Sequence, residues 1–418
     1  MNLTLLFALL GGLLVLAFAA NRLFQWTRVP DVVVLMATGV LIGPVLGWVQ
    51  PGPFEGVAHA FGSLALILIL FEAGLDLDLR RTLRHFPGGL LLGFLTYALT
   101  TLAIGGVVWR NLGLPLRDAM AVAAIMGCTS STIVLPILQQ WKAREPVRVT
   151  LLVESTLGDI LAVLTTQFLL QFDPAQGSAI SGLASTLGVQ IAISLAAALA
   201  IGFVWSKLLP FLSEQRFWQV LTFSMVLLLY AGTEALHGSG LLAVLGFGLA
   251  LSNLPGARPE MAGMFQWAMP HAAKHEQILS FHSELSFLVR TFFFVMIGVV
   301  VKVHGLREIW LLLLGVMGAI WLSRWIGVQL TAWSWRESTP QDRKVVLWML
   351  PRGLITIVLA LAVVEARGEA MSFLPALSFA IVLLTNLLVL VGGIDAARSA
   401  PAAVPAAAEA EAGPPGVT

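Results

Sequence analysis

Thirteen apolar runs, most of them long enough to cross a lipid bilayer, account for nearly all of this chain. They cover approximately residues 3–20, 31–48, 59–76, 88–110, 117–139, 147–171, 183–209, 217–236, 239–254, 281–303, 308–334, 344–366 and 373–393. A helix needs about 20 apolar residues to span the hydrocarbon core. Only helices and closed barrels satisfy every backbone polar group inside lipid, and no run shows the strict alternation of a barrel strand. The expected fold is therefore an all-α membrane protein with about 13 transmembrane helices.

Composition excludes the alternatives. Of 418 residues, 58% are hydrophobic and 11% charged, whereas a soluble domain carries roughly 25% charge. The net charge of +1 leaves no basic footprint for nucleic acid. A single cysteine, Cys128, rules out an intrachain disulfide framework and a cysteine metal cluster. The first run lacks a cationic start and reads as a retained span. Residues 1–398 are expected to form one membrane domain. Residues 399–418, rich in Ala, Pro, Glu and Gly, are expected to be a disordered tail. Residues 255–280 read as a loop with an interfacial helix. Lys and Arg concentrate in the loops after odd-numbered spans and in the tail, which places the N-terminus outside and the C-terminus in the cytoplasm.

An ionisable group inside a span is expensive and by default functional. At 1.5 Å per residue, Asp159 lies about 18 Å and Glu154 about 11 Å along span six. Thr129 lies about 18 Å along span five and Arg352 about 12 Å along span twelve. Spans five and twelve also share helix-breaking sequence: Gly127-Cys128-Thr129-Ser130-Ser131-Thr132 with Pro136 in one, Pro351-Arg352-Gly353 in the other. Proline removes a helical hydrogen bond and glycine weakens the helix. A break in lipid must be buried or line a cavity. Broken helices of opposite direction in the two halves indicate inverted repeats crossing near the midplane, as in secondary transporters. Spans four to six and eleven to thirteen would be the paired units.

Plainer readings compete at several positions. Ser and Thr runs often only join helices. Arg324 is expected to snorkel to the interface, and Glu72 and Asp76 to face solvent or headgroups. His271 and His275 read as interfacial, without a third metal ligand. Glu154 and Arg352 are expected to neutralise each other as a buried pair. Arg290, about 13 Å into span ten, has no partner that the sequence names. Asp159 cannot snorkel from the midplane.

These residues resemble a known family. Glu154-Ser155-Thr156-Leu157-Gly158-Asp159 is similar to the span-six signature of sodium/proton exchangers in the monovalent cation:proton antiporter superfamily. Four further stretches agree in order: Gly39-Val40-Leu41-Ile42-Gly43-Pro44, Leu70-Phe71-Glu72-Ala73-Gly74-Leu75-Asp76, Phe292-Phe293-Phe294-Val295-Met296-Ile297-Gly298 and Pro351-Arg352-Gly353-Leu354. The resemblance implies antiport in the cell membrane serving pH homeostasis, and a homodimer whose core moves against a dimerisation domain. Two positions depart from the pattern. Gly158 stands where the family has Asn or Asp. Thr129-Ser130-Ser131 stands where sodium-selective members carry Thr-Asp-Pro, and it looks closer to the glutathione-gated potassium-efflux branch.

The physical logic needs one titratable carboxylate. A proton and a hard monovalent cation (Na+, Li+ or K+) want the same oxygens, so they exclude each other at Asp159. Ser155, one turn earlier on the same helix face, and the unwound Thr129 and Ser130 would add oxygen ligands. Gly158 and Arg290 are accessory candidates. One exchangeable charge implies electroneutral 1:1 exchange, with Na+/H+ the first reading and K+/H+ the alternative. A cation channel would need a continuous pore with several weak sites. A membrane enzyme would need a nucleophile–base pair or metal triad, and none stands out. No cofactor is expected, and no partner beyond lipid, the transported ions and a second copy.

Overall fold

The structure, a computed structural model, describes residues 3–27, 29–76, 86–171, 180–253, 271–301, 307–334 and 339–399. Among these, all regular structure is helical. The first half contains α1 (Leu3–Thr27), α2 (Asp31–Val40), α3 (Gly52–Asp76), α4 (Phe86–Leu112), α5 (Leu116–Gly127), α6 (Ser131–Gln140) and α7 (Glu145–Gln171). Then come α8 (Ile180–Leu212), α9 (Trp218–Ala235), α10 (Gly240–Asn253), α11 (His271–Val300), α12 (Trp310–Thr331), α13 (Pro340–Trp348), α14 (Leu354–Arg367) and α15 (Leu374–Ser399). Pro44 turns the end of α2 into a π-helical stretch, Leu41–Val45, because its missing N–H breaks the regular ladder. Helix α11 starts at His271, inside the stretch expected to be a loop with an interfacial helix, and runs on without a break to Val300. Residues 254–270 and the tail from 400 onward lie outside the described residues, as do Arg28, Arg80, Arg81, Arg84, Arg258, Lys302 and Arg336 from the orientation argument.

Among the described residues, six segments are long and apolar enough to cross a membrane by length and composition. Two of them bracket the architecture. Residues 188–209 of α8 are 22% buried within the protein, whereas residues 116–140 are 83% buried. The segment whose backbone is interrupted is thus the one that other helices surround, as unsatisfied carbonyls and amides require.

The interruptions lie where the sequence weakens the helix. Helix α5 ends at Gly127, Cys128 and Ser130 are extended, and α6 resumes at Ser131. Helix α13 starts from a capping box between Thr339 and Asp342 with Pro340 in its first turn. It ends at Trp348, and α14 begins after the extended Gly353. The two unwound segments touch: Ser130 N–H donates to the Pro351 carbonyl at 2.9 Å. Gly353 is needed there, because a Cβ would collide with the Ser130 side chain. Each pair is also tied at its far ends. Arg367, the last residue of α14, ion-pairs with Asp118 in the first turn of α5 at 3.2 Å. Arg144, just before α7, pairs with Asp342 in the first turn of α13 at 2.7 Å.

Two further seams bring backbones together. Gly39 of α2 faces Gly298 of α11, and Gly74 of α3 faces Gly248 of α10. A Cβ at any of the four would run into the partner backbone. Small residues at such seams allow the close packing on which helix association in lipid depends. Replacing Gly298 or Gly248 by Leu is expected to cost about 1–3 kcal/mol by overpacking. Thermal melts in detergent should show a lower midpoint for both, and no loss for Gly232→Ala, whose Cβ meets open space.

Candidate functional site

Asp159 sits on α7 with 1% of its surface exposed, beside the unwound residues 128–130. Helix α7 approaches that segment closely because residue 158 is glycine, where a Cβ would lie 3.3 Å from the Cys128 Cβ. The carboxylate is half satisfied. Ser131 Oγ donates to Oδ2 at 2.8 Å, while Oδ1 is buried without a hydrogen-bond partner. Buried polar atoms are almost always paired, so Oδ1 is an acceptor whose hydrogen-bonding capacity the surrounding protein leaves unmet.

The charged residues around it resolve differently from the expected Glu154–Arg352 pair. Arg324 binds Glu154 through both terminal nitrogens, one of them at 3.0 Å to Oε2, and its Nε donates to the Val346 carbonyl at 3.0 Å. Arg324 is 3% exposed and does not snorkel. The reason is depth: it lies about 10 Å in from Thr331, close to the 11 Å reckoned for Glu154. Arg352 instead serves the backbone. Its Nε donates to the Met126 carbonyl at 2.8 Å and Nη1 to the Leu350 carbonyl at 3.4 Å. Its own N–H and carbonyl are held by Thr385 Oγ1 at 3.0 Å and Asn386 Nδ2 at 2.9 Å, both on α15. The guanidinium thus occupies carbonyls that the two interrupted helices leave free, within electrostatic reach of Asp159 and Glu154.

The other expected ligands point elsewhere. Thr129 Oγ1 donates to Glu154 Oε1 at 3.3 Å, Ser130 Oγ meets Thr132 Oγ1 at 3.0 Å, and Ser155 Oγ turns back to the Leu152 carbonyl at 3.1 Å. Ser131, one position beyond the expected pair, is the hydroxyl that reaches Asp159. Tyr97 braces the far side, donating to the Leu161 carbonyl at 3.2 Å and the Ala124 carbonyl at 3.4 Å. Among the described residues, no group of three or more His, Cys, Asp or Glu converges on a metal-sized space. One carboxylate with hydroxyls suits a weakly held monovalent ion better than a tight divalent one.

A cavity of about 490 Å³ opens beside Ser131 and Thr132. Glu72, Asp76 and Glu284 line it, together with Ser283 and Arg290. Glu72 accepts a hydrogen bond from Ser283 Oγ. The acidic residues expected to face headgroups thus border a passage that reaches the serine holding Asp159.

Removing one member of a buried ion pair leaves an uncompensated charge and typically costs about 3–5 kcal/mol. Arg324→Gln should therefore destabilise strongly, and Glu154→Gln with Arg324→Gln should recover part of the loss. A double-mutant cycle from thermal melts should give a large coupling for Glu154 with Arg324 and a small one for Glu154 with Arg352. Equal couplings would contradict the geometry.

The chain is similar to known proteins over most of its length. An archaeal protein of Methanocaldococcus jannaschii called Na(+)/H(+) antiporter 1 is 25% identical over 375 residues, 87% of this chain and 84% of its own length. The K(+)/H(+) antiporter NhaP2 of Shewanella oneidensis is 24% identical over 365 residues, and the match spans 85% of this chain and 60% of that protein. The solved structure of the sodium proton antiporter MjNhaP1 from M. jannaschii at pH 8 superimposes with a TM-score of 0.76 at 22% identity, covering 95% of this chain and 97% of that one. That likeness establishes the fold. Residues 12–396 match the transmembrane sodium/hydrogen exchanger family, and the chain belongs to it.

Proposed function

We propose that this protein is a multi-pass secondary transporter that exchanges a monovalent cation for a proton, the two competing for Asp159. The observation that carries the reading is the orphan Oδ1 of a buried carboxylate whose hydrogen-bond partner, Ser131, lines an acidic cavity. Relatives whose names record Na+/H+ or K+/H+ antiport support the class of reaction. Sodium is the first reading. Potassium is the second, favoured by the serines of segment 129–131 where sodium-selective members would place a carboxylate.

The competition follows from the donor set. A proton on Oδ1 removes the negative charge that attracts a cation, and a cation on Oδ1 keeps the proton off. Ser131 holds Oδ2 in either case. Ser131 supplies a hydroxyl oxygen beside the carboxylate, the hydroxyls of Ser155 and Thr129 would have to turn from the Leu152 carbonyl and Glu154 to join it, and water completes the shell that a hard ion needs. The Glu154–Arg324 pair contributes no net charge and keeps α7 fixed against α12.

The membrane arrangement belongs to the same reading. Helices α5 with α6, and α13 with α14, are the halves of two broken spans, which gives thirteen spans in two inverted repeats. The glycine seams support this: α2 against α11 in one place and α10 against α3 in the other are related if spans one to six correspond to spans eight to thirteen. Core spans four to six and eleven to thirteen move as the carrier within a homodimer in the cell membrane. The N-terminus lies outside, and the C-terminus and the acidic cavity face the cytoplasm.

Asp159→Asn is expected to abolish exchange in proteoliposomes that carry an internal pH dye, while the protein still elutes as a folded species. Wild-type rates in that variant would overturn the mechanism. A second outcome concerns charge. Glu154, Asp159, Arg324 and Arg352 are the charges buried around the crossing, so the empty site is neutral and either load adds one positive charge. Imposed membrane potential, worth about 2.3 kcal/mol per charge per 100 mV, should therefore leave the ion and pH gradients at which exchange comes to rest unchanged. Resting gradients that shift with the imposed potential would exclude 1:1 exchange.

A further inference from the structure

Arg290 stands in an unexpected place. A guanidinium lines the cavity that leads toward a cation site, on the wall shared with Ser131 and Thr132 and with the carboxylates Glu72, Asp76 and Glu284. Its one ion pair is long: Nη2 lies 3.4 Å from Asp31 Oδ2, and both side chains are 19% exposed. Its Nε is buried with no acceptor. The side chain is therefore loosely anchored at Asp31 and has spare donors within a chamber of acids. A structural arginine would be held by its partners, as Arg324 is by Glu154 and Val346.

We infer that Arg290 acts as a tethered cation in the access path, setting how weakly the transported ion is held on its way to Asp159. The inference rests on the antiport reading and adds a residue that governs apparent affinity. The physics is electrostatic. Three carboxylates in one chamber would concentrate cations strongly, and a chamber that binds too tightly delays release. A fixed positive charge opposes that accumulation and competes for the same carboxylates. Arg290 touches neither Asp159 nor Ser131 in any hydrogen bond, so the chemistry at the site itself does not depend on it.

The test uses purified full-length protein in proteoliposomes, with KM and kcat measured for Na+ and for K+ at two ionic strengths set by choline chloride. Arg290→Gln should lower the cation KM about fourfold, the effect of one unit charge roughly 10 Å away at an effective dielectric near 40, with kcat changed less than KM. Added choline chloride should shrink the difference, because salt screens charges in an open chamber. Arg290→Lys should restore the wild-type KM. Asp31→Asn, which releases the guanidinium toward the acids, should raise KM and provides the reading if Arg290→Gln fails to fold. A KM that stays the same or rises in Arg290→Gln, or stays the same or falls in Asp31→Asn, overturns the inference while wild-type exchange continues. Absence of exchange in the wild type for every monovalent cation overturns the antiport reading itself, and this inference with it.

Discussion

The hydrogen bond from Ser130 to the Pro351 carbonyl is the contact on which the rest of the molecule depends. Two stretches of unwound backbone can exist in an apolar surrounding only if each satisfies the other or recruits side chains to do so. Both occur here. The segments bond directly, Arg352 fills the carbonyls of Met126 and Leu350, and Thr385 with Asn386 secures the backbone of Arg352. Helix α7 can then approach through Gly158 and present Asp159 to the gap. Without the crossing there would be no place where a buried carboxylate could keep one oxygen free.

The site also shows how burial assigns work among similar charges. Arg324 and Arg352 are both buried arginines at comparable depth, yet one neutralises a side chain and the other serves main-chain carbonyls. The difference lies in what each faces. Arg324 comes from an intact helix whose backbone is already satisfied, so its charge goes to Glu154. Arg352 belongs to an interrupted segment, so the nearest demand is the backbone itself. Asp159 is left as the carboxylate without a guanidinium clamp, which is what an exchangeable group requires.

Much of this was legible in the sequence. Asp159 stood out because a charge at mid-depth has no bland explanation, and Gly127, Pro351 and Gly353 marked the interruptions. Depth along a helix was readable from residue count, but rotation about the helix axis was not. Rotation is why Ser131 rather than Ser130 meets Asp159, and Arg324, which reads as a helix-end residue, lies deep enough to take Glu154 from Arg352. Glu72 and Asp76 looked like residues at the end of a span. Their common cavity depends on how α3, α6 and α11 lean together, which no single run encodes.

The ion pairs at the far ends of the crossing have a mechanical consequence. Asp118 with Arg367 joins the start of α5 to the end of α14, and Asp342 with Arg144 joins the start of α13 to the connection between α6 and α7. Arg367 also grips the carbonyls of Leu169 and Leu170 at the end of α7. Together with the central bond this makes a braced cross, pinned at its middle and strapped at both tips. A load on either tip is shared by all four half-helices and by α7 before it can bend the unwound centre. The unwound backbone is therefore held at its centre and strapped beyond both of its ends, so that a push on either end reaches it only through these contacts.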